Sequence, residues 1–88
     1  MVMKSNFQML REFKNFKPQS FGFLTSEEMD KIKNHFAIKE RSNVELQNLR
    51  DFVVMYYSET AKSLEDSDVM SGIVGVIDLE KVNRGMEV

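Results

Sequence analysis

The sequence contains no cysteine and no tryptophan, and it has a single histidine, His35. Without cysteine there is no disulfide framework, no thiolate zinc site and no cysteine nucleophile. A lone histidine excludes a two-histidine metal site within one chain, and no serine stands in a recognisable catalytic motif with it. The four glycines form neither a P-loop nor a dinucleotide-binding fingerprint. We therefore expect a protein without a cofactor, a metal or a catalytic site, and not an enzyme.

Long apolar runs are also absent. The longest is Phe52 to Tyr57, far short of the roughly 20 residues that span a bilayer. The N-terminal residues interleave phenylalanine with charged side chains and lack the apolar stretch of a secretory signal. We expect no membrane segment and a cytoplasmic location.

The residues that are present suit one small globular domain, residues 1–88. Apolar residues make up 42% and charged residues 30% of the chain, which is close to the globular average. The net charge of −2 is unevenly spread, because lysine and arginine dominate residues 1–50 and aspartate and glutamate dominate residues 51–88. Either oppositely charged helices lie side by side, or a basic face binds an anionic partner.

The first half of the sequence predicts two helices. Apolar spacings of three and four residues predict the first helix from about Asn6 to Phe16, with Ser5 as its N-cap and Pro18 in the turn that follows. A capping box of Thr25 and Glu28 predicts the start of the second helix, which we expect to end near residue 36 or 37.

A long helix at about residues 43–65 is the firmest prediction. The capping box of Ser42 and Glu45 marks its start, and neither glycine nor proline occurs between this box and Glu65. The run Phe52 to Tyr57 would cover the whole circumference of this helix with apolar side chains. A helix that is apolar all round is normally buried all round. This helix is therefore either the hub of the bundle or partly covered by a second copy.

The last segment has two interpretations. Ser67 as N-cap and Gly85 as C-terminal stop predict a fourth helix that ends near Asn83. Gly72 and Gly75 weaken a helix, so a short buried strand within residues 69–77 remains the alternative. We favour the helix, since no other segment offers a partner strand. The predicted fold is an all-α bundle of three or four helices around a long central helix.

Without a catalytic constellation, the leading hypothesis is a small non-enzymatic regulatory or adaptor protein that acts through protein contacts as a homodimer. The apolar circumference is larger than a small bundle easily covers, and this favours an interface at the long helix or the C-terminal segment. The candidate interface residues are Phe52, Val54, Met55, Tyr57, Ile73 and Val76.

The alternative hypothesis is a DNA-binding transcriptional regulator that uses the basic region of residues 31–50. Cations in this region are suitable for phosphate contacts, and the long helix begins with polar residues. The candidate nucleic-acid contacts are Lys31, Lys33, Lys39, Arg41 and Arg50. The acidic net charge and the apolar run later in the same helix count against this hypothesis.

Overall fold

The computed structural model describes residues 5–13, 16–17 and 24–87, and in these ranges it has four α-helices and no strand. The helices are α1 (Asn6–Glu12), α2 (Ser26–His35), α3 (Asn43–Thr60) and α4 (Leu64–Asn83), with a 3₁₀ turn (Ile38–Glu40) between α2 and α3. The predicted all-α bundle is confirmed. The turn predicted at Pro18 lies outside the described residues.

The predicted starts of the first three helices are confirmed at atomic detail. Ser5 Oγ accepts the Gln8 amide at 3.1 Å. In α2 the Glu28 amide donates to Thr25 Oγ1 at 3.1 Å, while Glu28 Oε1 accepts the Thr25 amide at 2.9 Å. Ser42 and Glu45 make the same reciprocal pair at the start of α3. These bonds span three residues, so the local sequence is sufficient to predict them.

The C-terminal ends of the first and third helices were predicted too late. α1 ends at Glu12 rather than Phe16, with Phe13 as its C-cap residue. α3 ends at Thr60 rather than residue 65, because Ala61 is extended and Ser63 already caps α4 by accepting the Asp66 amide. The break after Thr60 lets the chain reverse, and α4 then packs along α3.

The last segment is a helix throughout, so the alternative strand is wrong. Its N-cap is Ser63 rather than the predicted Ser67, and it runs through Gly72 and Gly75 without interruption. The predicted stop at Gly85 is confirmed by its φ of 79°. The Gly85 amide donates to the Val82 carbonyl and the Met86 amide to the Lys81 carbonyl, which is a Schellman motif.

One apolar core joins all four helices and the 3₁₀ turn. α3 and α4 are antiparallel, as two bonds across the pair demonstrate: Arg50 to Asp78 and Lys81 to Gln47. α1 and α2 pack against this hairpin. The buried apolar side chains are Met9, Leu10, Phe13, Ile32, Phe36, Ile38, Leu46, Leu49, Val53, Tyr57, Val69, Ile73, Val76 and Ile77.

Arg84 fixes the connection between α2 and α3 to the end of α4. Its guanidinium donates to the carbonyls of Ile38, Lys39 and Arg41 at 3.2, 3.2 and 2.7 Å, and its Nε donates to Glu80 at 2.8 Å. These carbonyls lie in and just after the 3₁₀ turn, and arginine is well suited to bond several of them because its donors are spread over a rigid plane.

Candidate functional site

Three of the six candidate interface residues lie in the core. The exposed fractions are 7% for Tyr57, 0% for Ile73 and 2% for Val76. Burial raises the pKa of Tyr57 to about 12, with smaller contributions from the negative charges of Tyr56 and Asp66. These three side chains face the interior of a single copy, so they form no part of its surface.

The other three candidate residues are partly or largely exposed on α3. Phe52 is half-buried and packs against the core. Val54 is 37% and Met55 50% exposed. Val54 lies one turn beyond Arg50 and therefore on the side of α3 that faces α4, whereas Met55 points away from the core. The expectation that the whole run from Phe52 to Tyr57 is buried does not hold within one copy.

Met55 belongs to an exposed side of α3 that we call the α3 outer face. Its members follow one another at spacings of three or four residues, so they share one side of the helix: Val44, Asn48, Asp51, Met55 and Glu59. Val44 is 69% exposed. Asp51 and Glu59 lie one turn before and one turn after Met55. The α3 outer face therefore combines apolar and acidic side chains without a cation.

An aromatic pair extends the apolar surface toward α1. The ring of Phe7, which is 49% exposed, meets the ring of Tyr56 edge-on with 5.8 Å between centroids. The guanidinium of Arg11 lies over Phe7, 5.7 Å from the centroid of that ring. The apolar spacing of the first helix predicts that Phe7 is buried, and its exposure shows that this prediction is wrong. Its spacing of four residues from Arg11 is the one local signal that could have indicated otherwise.

The cations of α3 and α4 are both used inside the hairpin. Arg50 Nε donates to Asp78 Oδ1 at 2.8 Å, and this hydrogen bond is the main cause that raises the pKa of Arg50. Lys81 is 5% exposed and donates to Gln47 Oε1 at 2.6 Å. No other lysine or arginine occurs in either helix. The free charges that these two helices present to solvent are consequently negative.

The α4 outer face differs in charge. It consists of the exposed residues Ser71, Gly75, Leu79 and Val82, which again share one side of a helix. Leu79 is 44% and Val82 58% exposed. A Cβ added at Gly75 would meet no atom within 4 Å. Between Ser71 and Val82 the exposed side chains of this face are uncharged, and the charged neighbours Asp68 and Asp78 are half-buried.

The candidate nucleic-acid contacts are not one free basic patch. Lys31 and Lys39 are exposed and Lys33 is half-buried. Arg41 is 8% exposed, and its Nε donates to the Phe36 carbonyl at 2.7 Å. Desolvation by burial lowers the pKa of Arg41, and the charge of Glu45 partly opposes this shift. With Arg50 bound to Asp78, two of the five cations hold the fold together.

The part of the chain that the structure describes shows neither a membrane-spanning helix nor a metal-binding group. None of its helices is long and apolar enough to cross a membrane. Within residues 5–13, 16–17 and 24–87, no group of three or more histidine, aspartate or glutamate side chains is placed to hold a metal ion. Comparison of the chain with protein-family models, curated proteins and solved structures found no match.

Proposed function

We propose that this protein is a non-enzymatic regulatory or adaptor protein that acts through protein contacts, and that it forms a homodimer through the α4 outer face. The observation that carries the proposal is the exposure of Leu79 and Val82, one and two turns after Gly75, where the exposed side chains of α4 are uncharged. Homodimer interfaces are enriched in apolar area and depleted of charged residues in their centre.

Gly75 adds a second reason to place the contact on α4. A glycine in a helix interior is roughly 1 kcal/mol less favourable than alanine. No contact within the monomer requires the missing side chain, because the space above Gly75 is open. A second helix that crosses here can approach the backbone closely. Since both copies present the same uncharged surface, a two-fold axis would match it to itself.

Sedimentation velocity over micromolar to millimolar concentration tests the proposal. We expect the wild-type chain to sediment as a dimer and Val82→Glu to sediment as a monomer, because two buried carboxylates would face each other across the axis. Val44→Glu is the matched control, since Val44 is similarly exposed but lies on α3. A monomeric wild type at every concentration would reject the homodimer. Dimers that persist in Val82→Glu and dissociate in Val44→Glu would move the interface to α3.

Binding to nucleic acid has less support. Lys31 and Lys39 are available for phosphate contacts, but Arg41 and Arg50 already have partners within the chain. The negative charge of the α3 outer face lies on the same helix that would have to enter a groove. Titration of a labelled DNA duplex at low and high salt distinguishes the two hypotheses, because phosphate contacts weaken steeply with salt.

A further inference from the structure

We propose that the α3 outer face docks a basic amphipathic helix of another protein, an inference that rests on the proposed function in protein contacts and names the partner chemistry at a second surface. The apolar anchor is Met55, which is 50% exposed. Phe52 and Tyr56 lie on the same side of α3, one turn apart, and border Met55 toward α1. Methionine repacks readily around apolar side chains of different shapes, so it suits a helix laid against it.

The charges around this anchor select the partner. Asp51 and Glu59 lie one turn on either side of Met55 and are exposed. Asp51 accepts a hydrogen bond from Gln47 Nε2 at 2.9 Å, which is a neutral donor and leaves the negative charge in place. Lys81 is buried. Arg50 donates to Asp78 and interacts more weakly with Asp51, so the cations of α3 and α4 offset these carboxylates only in part.

A helix that presents leucine-like side chains to Met55 and lysine or arginine to Asp51 and Glu59 complements this surface in both polarity and charge. A second copy of the protein does not, because its own α3 outer face would bring carboxylates against carboxylates. The two outer faces of the hairpin therefore have different occupants: an identical copy on α4 and a basic helix on α3.

The test uses two synthetic helical peptides with the same leucine pattern, one with lysine and one with glutamate at the polar positions. Isothermal titration calorimetry measures their binding to the full chain, and amide chemical shifts locate the contact. We expect the lysine peptide to bind at Asp51, Met55 and Glu59 with an affinity that falls at higher salt. The glutamate peptide should not bind.

Matched variants separate a docking site from general attraction to an acidic protein. Asp51→Asn with Glu59→Gln should weaken binding about tenfold, because both exposed charge pairs with the peptide are lost. Glu27→Gln with Asp30→Asn makes the same change in net charge at exposed positions of α2 and should leave the affinity nearly unchanged. Met55→Ala removes the apolar anchor at an exposed position and should also weaken binding.

Three results would overturn the inference: no binding of the lysine peptide, equal binding of both peptides, or equal weakening by the α2 and α3 variants. Dissociation of a wild-type dimer by Met55→Ala would instead identify the occupant of the α3 outer face as a second copy. The α4 dimer is read separately by sedimentation of Val82→Glu, so a failure of the peptide experiment leaves that proposal standing.

Discussion

The outer faces of α3 and α4 belong to the same antiparallel hairpin and expose similar apolar side chains, yet they differ in charge. Met55 lies between two carboxylates, whereas Leu79 and Val82 lie around an unfilled glycine with no charge among them. The difference arises in part because Arg50 bonds Asp78, which pairs the carboxylate beside Gly75 and Val82 and holds the cation of α3 on the side that faces α4. Exposed apolar area alone therefore does not identify a partner; the charges beside it do.

The largest expected effect on stability concerns the inner side of α4, which packs in the core opposite the α4 outer face. Ile73→Ala should lower the free energy of unfolding by about 2–5 kcal/mol, because Ile73 is fully buried and its truncation leaves a cavity. Leu79→Ala, on the outer side of the same helix, should cost well under about 1 kcal/mol in the monomer at low concentration. Urea denaturation of both variants measures the difference. Similar losses would mean that α4 is buried on both sides.

A smaller effect should appear at alkaline pH. Burial raises the folded-state pKa of Tyr57 to about 12 from the ordinary value of 10.0. The neutral phenol thus contributes stability that is fully present below pH 10 and is lost as the pH rises toward 12, by up to roughly 2–3 kcal/mol. We expect Tyr57→Phe to unfold with a shallower alkaline limb than the wild type in urea titrations at several pH values.

Tyr56→Phe is the matched control for this measurement. It removes the hydroxyl of the half-buried neighbour and leaves Tyr57 in place. Its alkaline limb should stay close to that of the wild type, because burial is a larger cause of the raised pKa of Tyr57 than the ionised Tyr56. If Tyr57→Phe loses as much unfolding free energy at alkaline pH as the wild type, the loss does not come from ionisation of a desolvated Tyr57 hydroxyl.

The smallest expected effect compares the two glycines of α4. Gly75→Ala should stabilise the monomer by up to about 1 kcal/mol, because the helix gains propensity and the added methyl group meets nothing. At Gly72 the added Cβ would lie 3.3 Å from Leu24 Cδ1, so the gain should be smaller. Thermal unfolding at low concentration measures both.

The variants Gly75→Ala and Gly72→Ala also test where a second helix crosses α4 in the proposed dimer. If a second helix crosses at Gly75, Gly75→Ala should stabilise the monomer and weaken the dimer at once, whereas Gly72→Ala should leave the dimer unchanged. A more stable monomer with an unaltered dimer would place the crossing elsewhere on α4.

Helix starts were predictable, and the hairpin turn was not. Ser5, Thr25 and Ser42 bond amides three residues away, so their signals lie within a few letters of sequence. The sequence around residues 61–63 has no glycine or proline, and the predicted helix continued through it. The true N-cap, Ser63, has an aspartate three residues later, a signal that was available but competed with Ser67.

The candidate surface was predictable only in part. The apolar run of six residues predicted burial all round, by the bundle or by a second copy, but within one copy Val54 and Met55 are exposed. Which of the six face inward depends on where α1 and α4 lie. Ile73 and Val76 could not be distinguished from Gly75, Leu79 and Val82 as surface residues, because the two glycines blur the helical pattern of the segment.

The sequence by itself determined that the chain is helical, where each of the first three helices begins and where α4 stops, because caps, apolar spacing and Gly85 act over one turn. Tertiary structure decided which side of each helix is buried and which charges remain free. Arg50 meets Asp78, Lys81 meets Gln47 and Arg84 meets Ile38 across separations of 28, 34 and 46 residues. Such contacts depend on the packing register of whole helices, and that register also leaves exposed carboxylates on the α3 outer face and uncharged exposed side chains on the α4 outer face.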